Sequence, residues 1–417
     1  MAPKAQIPEG TRDLLPRTTA QKRRLEDTIL KLFQNWGYRE VITPTMEYYH
    51  ALSLGTGKDM QEKMYKLTDY RGRIIALRPE MTAPIARMVA TKLNDHRLPI
   101  KLSYLANVFR HQPLKEGRHR EFYQAGLECI GLKSPEVDAE VIALAIEALK
   151  ACGLNHFSID IGHVDFFQGL IEDFKLSPSF SRAIRGALRT RDFVALRELV
   201  EGSELAAKEQ EVLLSLPRLR WKGEIPDQVL GLSQHPLVRN AFKELKQIIE
   251  HLQLLEVEDH FHLDLSLFRG FDYYTGMVFE AFTPELGTRI CGGGRYDDLL
   301  GEYGLQLPAT GFALGIDIIL LALEKEENPF APESGQALIL YHPSQKKEAY
   351  KFFRDRLRQG DSHELELKER PLSASIKYAE EKNYRYLYYL GPLKKDSAAG
   401  WERITTDGFQ YHRLKCR

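Results

Sequence analysis

Residues able to hold a small charged molecule gather in four short stretches of the chain. Arg78-Pro-Glu-Met-Thr82 sets a carboxylate and a hydroxyl two residues apart after a strand-like run. Pro79 stiffens the approach by its fixed φ. Residues 109–124 place Arg110, Arg118 and Arg120 around a loop between two predicted strands, which is either a place for anionic oxygens or a solvated basic surface. Gln124 and Glu128 stand four apart on the second of those strands and therefore share a face, with Gly126 between them. A carboxylate on so apolar a strand is costly if buried alone, so Glu128 either pairs with an internal arginine or waits for a cationic ligand. In the fourth stretch, Arg269, Tyr273 and Tyr274 lead into a predicted hairpin with strands at 273–282 and 288–291, joined by a Thr-Pro-Glu-Leu-Gly turn. Gly292-Gly-Gly294 follows and brings bare backbone close to whatever the second strand faces. Arginine, phenols and bare backbone on one surface suit a small zwitterion. The alternative is an ordinary hairpin with a surface arginine.

The elements that must position these groups are legible in the apolar spacing. A helix is expected over 18–36, stopped by Gly37, then a short strand at 39–43 broken by Pro44. A hairpin is expected at 64–68 and 73–77, a helix at 81–93, and strands at 102–110 and 120–131. Ser134 and Pro135 open a helix running to Cys152, and 157–161 is a strand. Residues 164–257 read as an all-helical insertion without strands. His163 reads as a packed or capping residue. Strand character returns at 260–265, and 310–324 reads as an apolar, glycine-punctuated helix. A linker at 328–335 precedes a small α/β module at 336–417, with strands at 337–341, 364–368 and 384–390 and helices at 345–359 and 373–382.

Bulk properties narrow the possibilities. The 417 residues allow two or more domains. Lys+Arg and Asp+Glu both total 58, so no global charge draws the chain to nucleic acid or anionic membrane. The C-terminal module carries 17 Lys+Arg against 11 Asp+Glu, a mild excess that argues against tRNA as a partner. Four scattered cysteines without a C-x-x-C pair point away from disulfides and zinc and toward a reducing cytoplasm. No stretch suits a membrane span. Gly55-Thr-Gly-Lys58 has Asp59 where a phosphate loop needs Ser or Thr, and Cys291-Gly-Gly-Gly294 does not open a helix as a dinucleotide fingerprint must.

Together, and in this order, the motifs resemble the catalytic domain of class II aminoacyl-tRNA synthetases, and within it the histidyl branch. The resemblance rests on Gly10-Thr-Arg-Asp-Leu-Leu-Pro16, the strand ending at Pro44, Arg78-Pro-Glu80 with Thr82, and Phe109-Arg110 with Gly117-Arg-His-Arg120. The strand to Glu128, Arg269-Gly-Phe-Asp-Tyr-Tyr274 and Gly293-Gly-Arg-Tyr-Asp297 complete it. It spans residues 7–325. It implies an α+β fold, an antiparallel sheet flanked by helices, with a helical insertion and the small C-terminal domain. It also implies a histidine pocket. Glu80, Thr82 and Gln124 would hold the α-amino group, and Glu128 and Tyr274 would read the imidazole. Arg269 and Arg110 would face the carboxylate side, with Tyr296 nearby, and Tyr273 would also belong to the histidine-binding set.

The nucleotide half departs from the pattern. Ile318, in Gly315-Ile-Asp-Ile318, stands where the synthetases have an arginine that grips the γ-phosphate. Gln112 replaces a carboxylate, and Pro113 another arginine. Adenylation depends on positioning and charge neutralisation at the phosphates, so these losses should cripple it. Arg78-Pro-Glu-Met-Thr-Ala-Pro-Ile-Ala-Arg87, Glu121-Phe-Tyr-Gln-Ala-Gly126 and Ile159-Asp-Ile-Gly-His163 resemble instead the regulatory subunits of short-form ATP phosphoribosyltransferase, paralogues of the histidyl synthetase. That resemblance implies no catalytic residue, cofactor or metal. It further implies L-histidine as ligand, a homodimer through the first-motif region, and a hetero-octamer with the short catalytic subunit of histidine biosynthesis, through which histidine feedback passes. An active histidyl-tRNA synthetase is the competing expectation.

Overall fold

The computed structural model describes residues 6–114, 119–267, 273–326, 337–367, 370–382, 384–393, 400–406 and 408–416. The chain divides into two compact units, Met1–Phe330 and Ala331–Arg417.

The first unit is built on a nine-stranded sheet. Its order is Arg39–Glu40, Ile100–Phe109, Glu121–Ile130, Ala309–Gly315, Arg289–Arg295, Met277–Phe282, Ser158–His163, Phe261–Asp264 and Arg220–Trp221. Neighbours from Ile100–Phe109 through Ser158–His163 are antiparallel. Arg39–Glu40 joins its neighbour in parallel, as do Ser158–His163 and Phe261–Asp264. Helix Pro135–Ala151, buried on most of its circumference, covers one face together with Pro16–Asn35 and Pro236–Leu254.

Register explains what each face does. Glu280, Gly292, Ala313, Gly126 and Tyr104 lie opposite one another across five strands. Two residues along, Val278, Gly294, Gly311, Glu128 and Leu102 form a second row. Side chains alternate in a strand, so both rows share a face. That face is nearly free of Cβ atoms at its centre. On the other face Leu127, Phe312, Phe279 and Leu314 are buried against the helices.

The segment expected as a helix over 310–324 is therefore strand Ala309–Gly315 followed by helix Ile316–Lys325. Gly311, Ala313 and Gly315 alternate with Phe312 and Leu314, a period of two that the apolar run disguised. Residues 164–257 are helical except for Arg220–Trp221, an edge strand too short to leave a periodic signal. Their apolar side chains, among them Phe166, Leu196 and Leu245, join the same core as the sheet. Strand Met46–Tyr48 was not expected either. It pairs with Ile74–Leu77, which also pairs with Lys66–Thr68, making a separate three-stranded sheet. Ser134 does stand before helix Pro135–Ala151, but its hydroxyl accepts no helix N–H. His163 does cap: its Nδ1 accepts from the Asp165 N–H, and its Nε2 faces Glu244 at 3.0 Å.

The second unit is a five-stranded sheet with Ala337–Tyr341 parallel to both His363–Leu365 and Tyr386–Leu390. An additional C-terminal hairpin, Glu402–Thr406 and Phe409–Lys415, extends it. Among the described residues no helix is long and apolar enough to cross a membrane.

Arg295, inside the Gly-Gly-Arg-Tyr-Asp motif, ties sheet to helix. Its Nε and Nη2 meet the two Asp138 oxygens at 2.9 Å each, with both side chains 3–4% exposed. Asp138→Ala should cost about 3 kcal/mol, because it takes two charge-assisted hydrogen bonds from a buried guanidinium that keeps Asp297 and the Leu132 carbonyl, whereas replacing both partners by apolar residues should cost less than that single change. Urea unfolding of the single and double variants checks the order.

Candidate functional site

The Cβ-poor face of the main sheet floors two adjoining cavities. The inner one is lined by Glu80, Thr82, Tyr104, Gln124, Glu128, Tyr273, Tyr274 and Tyr296, among others. The outer one is lined by Gln112, His119, Phe122, Arg289, Asp317 and Ile318, among others. Arg110, Gln124, Tyr274, Gly292 and Ala313 face both. Of the nine residues expected to bind histidine, the structure thus brings eight to the inner cavity. The ninth, Arg269, lies outside the described residues.

Glu128 sits at the centre and is 1% exposed. Thr82 Oγ1 donates to its Oε1 at 2.9 Å, and the Tyr296 hydroxyl donates to its Oε2. Neither donor is a cation, and Arg295 of the hairpin is engaged by Asp138. Among the described residues Glu128 thus has no arginine partner, the first of the two alternatives posed by the strand. Burial pushes the carboxyl up to about 8 against the pull of its two hydrogen bonds, with Glu80 adding repulsion. Tyr296 thus reaches the pocket through its hydrogen bond to Glu128.

Glu80 is also buried, and its oxygens accept the backbone N–H groups of Thr82 (2.6 Å) and Ala83 (2.9 Å). It caps helix Thr82–Lys92 as an anion at a helix N-terminus. Burial raises its pKa, and those two N–H bonds oppose the rise. Gln124 Oε1 is buried and without a hydrogen-bond partner, an acceptor available to an ammonium. The three pocket tyrosines pack edge to face, Tyr273 against Tyr274 at 5.1 Å and against Tyr296 at 5.7 Å. Burial holds all three phenols protonated.

The outer cavity is different. Asp317 pairs with Arg12, and its other oxygen accepts the Tyr123 N–H at 2.7 Å. Ile318 beside it offers no charge. Arg110 Nε donates to the Pro79 carbonyl at 2.6 Å, and its guanidinium lies 5.2 Å from the Phe122 ring centre. Tyr104 and Arg289 line the cavities but escaped the sequence reading. Tyr104 reaches the site by lying across Gly126, its opposite in the ladder, and only the register shows that. Among the described residues one group of possible metal ligands converges, His156, Glu285 and Glu326. It lies outside both cavities, with Glu326 already accepting the N–H groups of Asn155 and His156.

Comparison with known proteins decides the family. A family model described as histidyl-tRNA synthetase matches residues 10–319. An ATP phosphoribosyltransferase regulatory subunit from Halothermothrix orenii is 43% identical over 354 residues, 85% of this chain and 84% of that protein. One from Acetivibrio thermocellus is 37% identical over 90% of each chain. The chain belongs to the family of ATP phosphoribosyltransferase regulatory subunits. A solved structure described as an ATP phosphoribosyltransferase regulatory subunit/histidyl-tRNA synthetase from Bacillus halodurans is 31% identical to this regulatory subunit. It covers 94% of this chain and 100% of its own, with a TM-score of 0.82. A histidyl-tRNA synthetase from Nostoc sp. PCC 7120 has the same TM-score at 21% identity over 98% of this chain and 96% of its own, a likeness of fold. The regulatory-subunit family thus carries the class II α+β fold anticipated from the motifs.

Glu128 makes this subunit's stability depend on pH. Its folded pKa of about 8 lies above the ordinary 4.5, so between these values the folded state holds more protons and stability falls as pH rises. Below pH 4.5 the contribution is fully present, and above 8 it is gone. Glu128→Gln cannot ionise, and the two hydroxyls can turn to suit its amide. The melting temperature of the variant relative to wild type should therefore climb from pH 5 to pH 8 in ligand-free protein. A constant difference would place the ionisation elsewhere.

Proposed function

We propose that this chain is a non-catalytic subunit that senses L-histidine and regulates a short-form ATP phosphoribosyltransferase at the first step of histidine biosynthesis. The observation that carries the reading is the unneutralised acceptor set of the inner cavity. Glu128 is buried with only hydroxyls on it, and Gln124 Oε1 has no partner. An imidazole N–H and an ammonium would satisfy both. The reading assigns Glu128 and Tyr274 to the imidazole, and Glu80, Thr82 and Gln124 to the α-amino group. Arg110 takes the carboxylate side, as does Arg269.

Aminoacylation is absent in this reading. It needs a cation at the nucleotide's distal phosphates, and the outer cavity has Ile318 there, beside an Asp317 already engaged by Arg12 and a backbone N–H. The reading also assigns a homodimer through the first-motif region, within a cytoplasmic hetero-octamer with the short catalytic subunit, and no tRNA partner. Supporting the dimer, edge strand Arg39–Glu40 runs into Ile42, 84% exposed. Met46, Tyr48 and Leu67 leave an apolar face on the three-stranded sheet. Feedback then requires histidine to bind active and inhibited assemblies with different affinity, since only that difference moves the equilibrium.

Above pH 8, where Glu128 is ionised, Glu128→Ala should remove one charge-assisted hydrogen bond, worth about 1.5–3 kcal/mol, and weaken histidine binding by roughly 10- to 150-fold. Calorimetry with free histidine reads the affinity, and gel filtration with the catalytic subunit should show assembly retained. Histidine-dependent pyrophosphate exchange should be absent from wild type. Measurable turnover would favour a synthetase instead.

A further inference from the structure

Four polar side chains of the site lie flat on glycines of the sheet. Tyr104 covers Gly126, Glu128 covers Gly311, Tyr274 covers Gly294 and Arg289 covers Gly292. Three of them line the inner cavity. Arg289 has no role in the assignment above, yet its placement is of the same kind. A Cβ on Gly292 would lie 3.1 Å from Arg289 Cδ, 3.3 Å from Nη1 and 3.4 Å from Nε. Gly292 faces both cavities, so the guanidinium lies where the inner cavity opens into the outer one.

Arg289 is held there by one contact. Its Nη1 donates to Glu280 Oε1 at 2.7 Å, and Glu280 is 4% exposed. A guanidinium has five N–H donors in a fixed fork, and among the described residues the others find no acceptor. The side chain is 39% exposed, at the rim. Arg110 faces the same space and is near enough that the Arg289 charge, after burial, helps hold its pKa down to about 10. Two like charges beside one opening are stabilised by an anion between them. The unpartnered Gln124 Oε1 borders the same opening and suits an ammonium. An acceptor and two guanidinium groups at one junction match the two ends of a free α-amino acid.

We propose that Arg289, together with Arg110, binds the α-carboxylate of the amino acid seated in the inner cavity, and that Arg289 thereby selects the free acid over analogues lacking that group. This rests on the reading of the inner cavity as a histidine site. L-histidinol keeps the imidazole and the amine and replaces the carboxylate by a neutral hydroxymethyl group, so it isolates the contact.

The test is calorimetric titration of the full chain with L-histidine and with L-histidinol, for wild type, Arg289→Gln, and the double variant Glu280→Gln/Arg289→Gln. The double variant keeps a hydrogen-bonded pair over Gly292 without leaving Glu280 charged and alone, and melting temperatures report whether each protein is folded. Both variants should lose affinity for histidine by about tenfold or more, with histidinol affinity unchanged, and Arg289→Lys should recover part of the loss. Undiminished histidine affinity in the folded double variant overturns the proposal, as does an equal loss for both ligands. Wild type that fails to bind histidine at all would instead refute the histidine reading, and the assignment of Arg289 with it.

Discussion

The site depends on bare backbone. A polar side chain can lie flat on a sheet where the residue beneath it carries no Cβ, and here the strands alternate so that Gly126, Gly292, Gly294 and Gly311 fall on one face. A methyl group at Gly311 would overlap the Glu128 carboxylate, and one at Gly126 the Tyr104 ring. The glycines therefore do more than permit a turn. They create the depth in which a carboxylate can be taken out of water, and burial is what raises the Glu128 pKa.

The buried charges of this unit divide into two kinds. Arg295 with Asp138 is closed, two guanidinium nitrogens on two carboxylate oxygens, and Asp297 and the Leu132 carbonyl satisfy what remains. It contributes architecture. Glu128 is open, held by hydroxyls that can turn and that bring no countercharge. Glu80 lies between the two kinds. It completes a helix cap, and it also faces the inner cavity. The helix it caps carries Arg87, which holds Glu47 of the three-stranded sheet through two hydrogen bonds. A ligand amine that draws on Glu80 would compete with the cap of a helix that is itself tied to an exposed apolar sheet face.

Much of this was legible in the residues. The hairpin at Met277–Phe282 and Arg289–Arg295 follows from its turn and glycines, and the shared face of Gln124 and Glu128 from simple alternation. Local spacing also located helix Pro135–Ala151 and the role of His163. What stayed hidden required register across strands distant in sequence. Tyr104 and Gly126 meet only because two strands pair antiparallel, and Arg289 reaches Gly292 along a strand whose bulge sits opposite it, between Ala281 and Phe282. Ala309–Gly315 reads as helix because it runs without a break into helix Ile316–Lys325, and four apolar residues and two glycines do not reveal their period alone. The hydrogen bond from Tyr296 to Glu128 is likewise a matter of side-chain direction, on which spacing is silent.

The two cavities share a wall and differ in what their charges are doing. In the inner one, Glu128 and Gln124 Oε1 are desolvated acceptors with no cation on them among the described residues, a state that costs free energy until a ligand arrives. In the outer one, Asp317 is satisfied within the protein by Arg12 from the N-terminal segment and by the Tyr123 N–H. Tyr123 in turn lies under Lys22 of helix Pro16–Asn35, its ring centre 3.4 Å from the ammonium, and Lys22 pairs with Glu26. Asp317 is one end of a structural chain of contacts reaching into the first helix. Asp317 is thus already engaged and Ile318 carries no charge, so neither would orient a polyphosphate. The inner surface gains from any ligand that supplies the missing donors. The two cavities can differ on one sheet because each is set by its own few side chains, while the glycine floor beneath them is common to both.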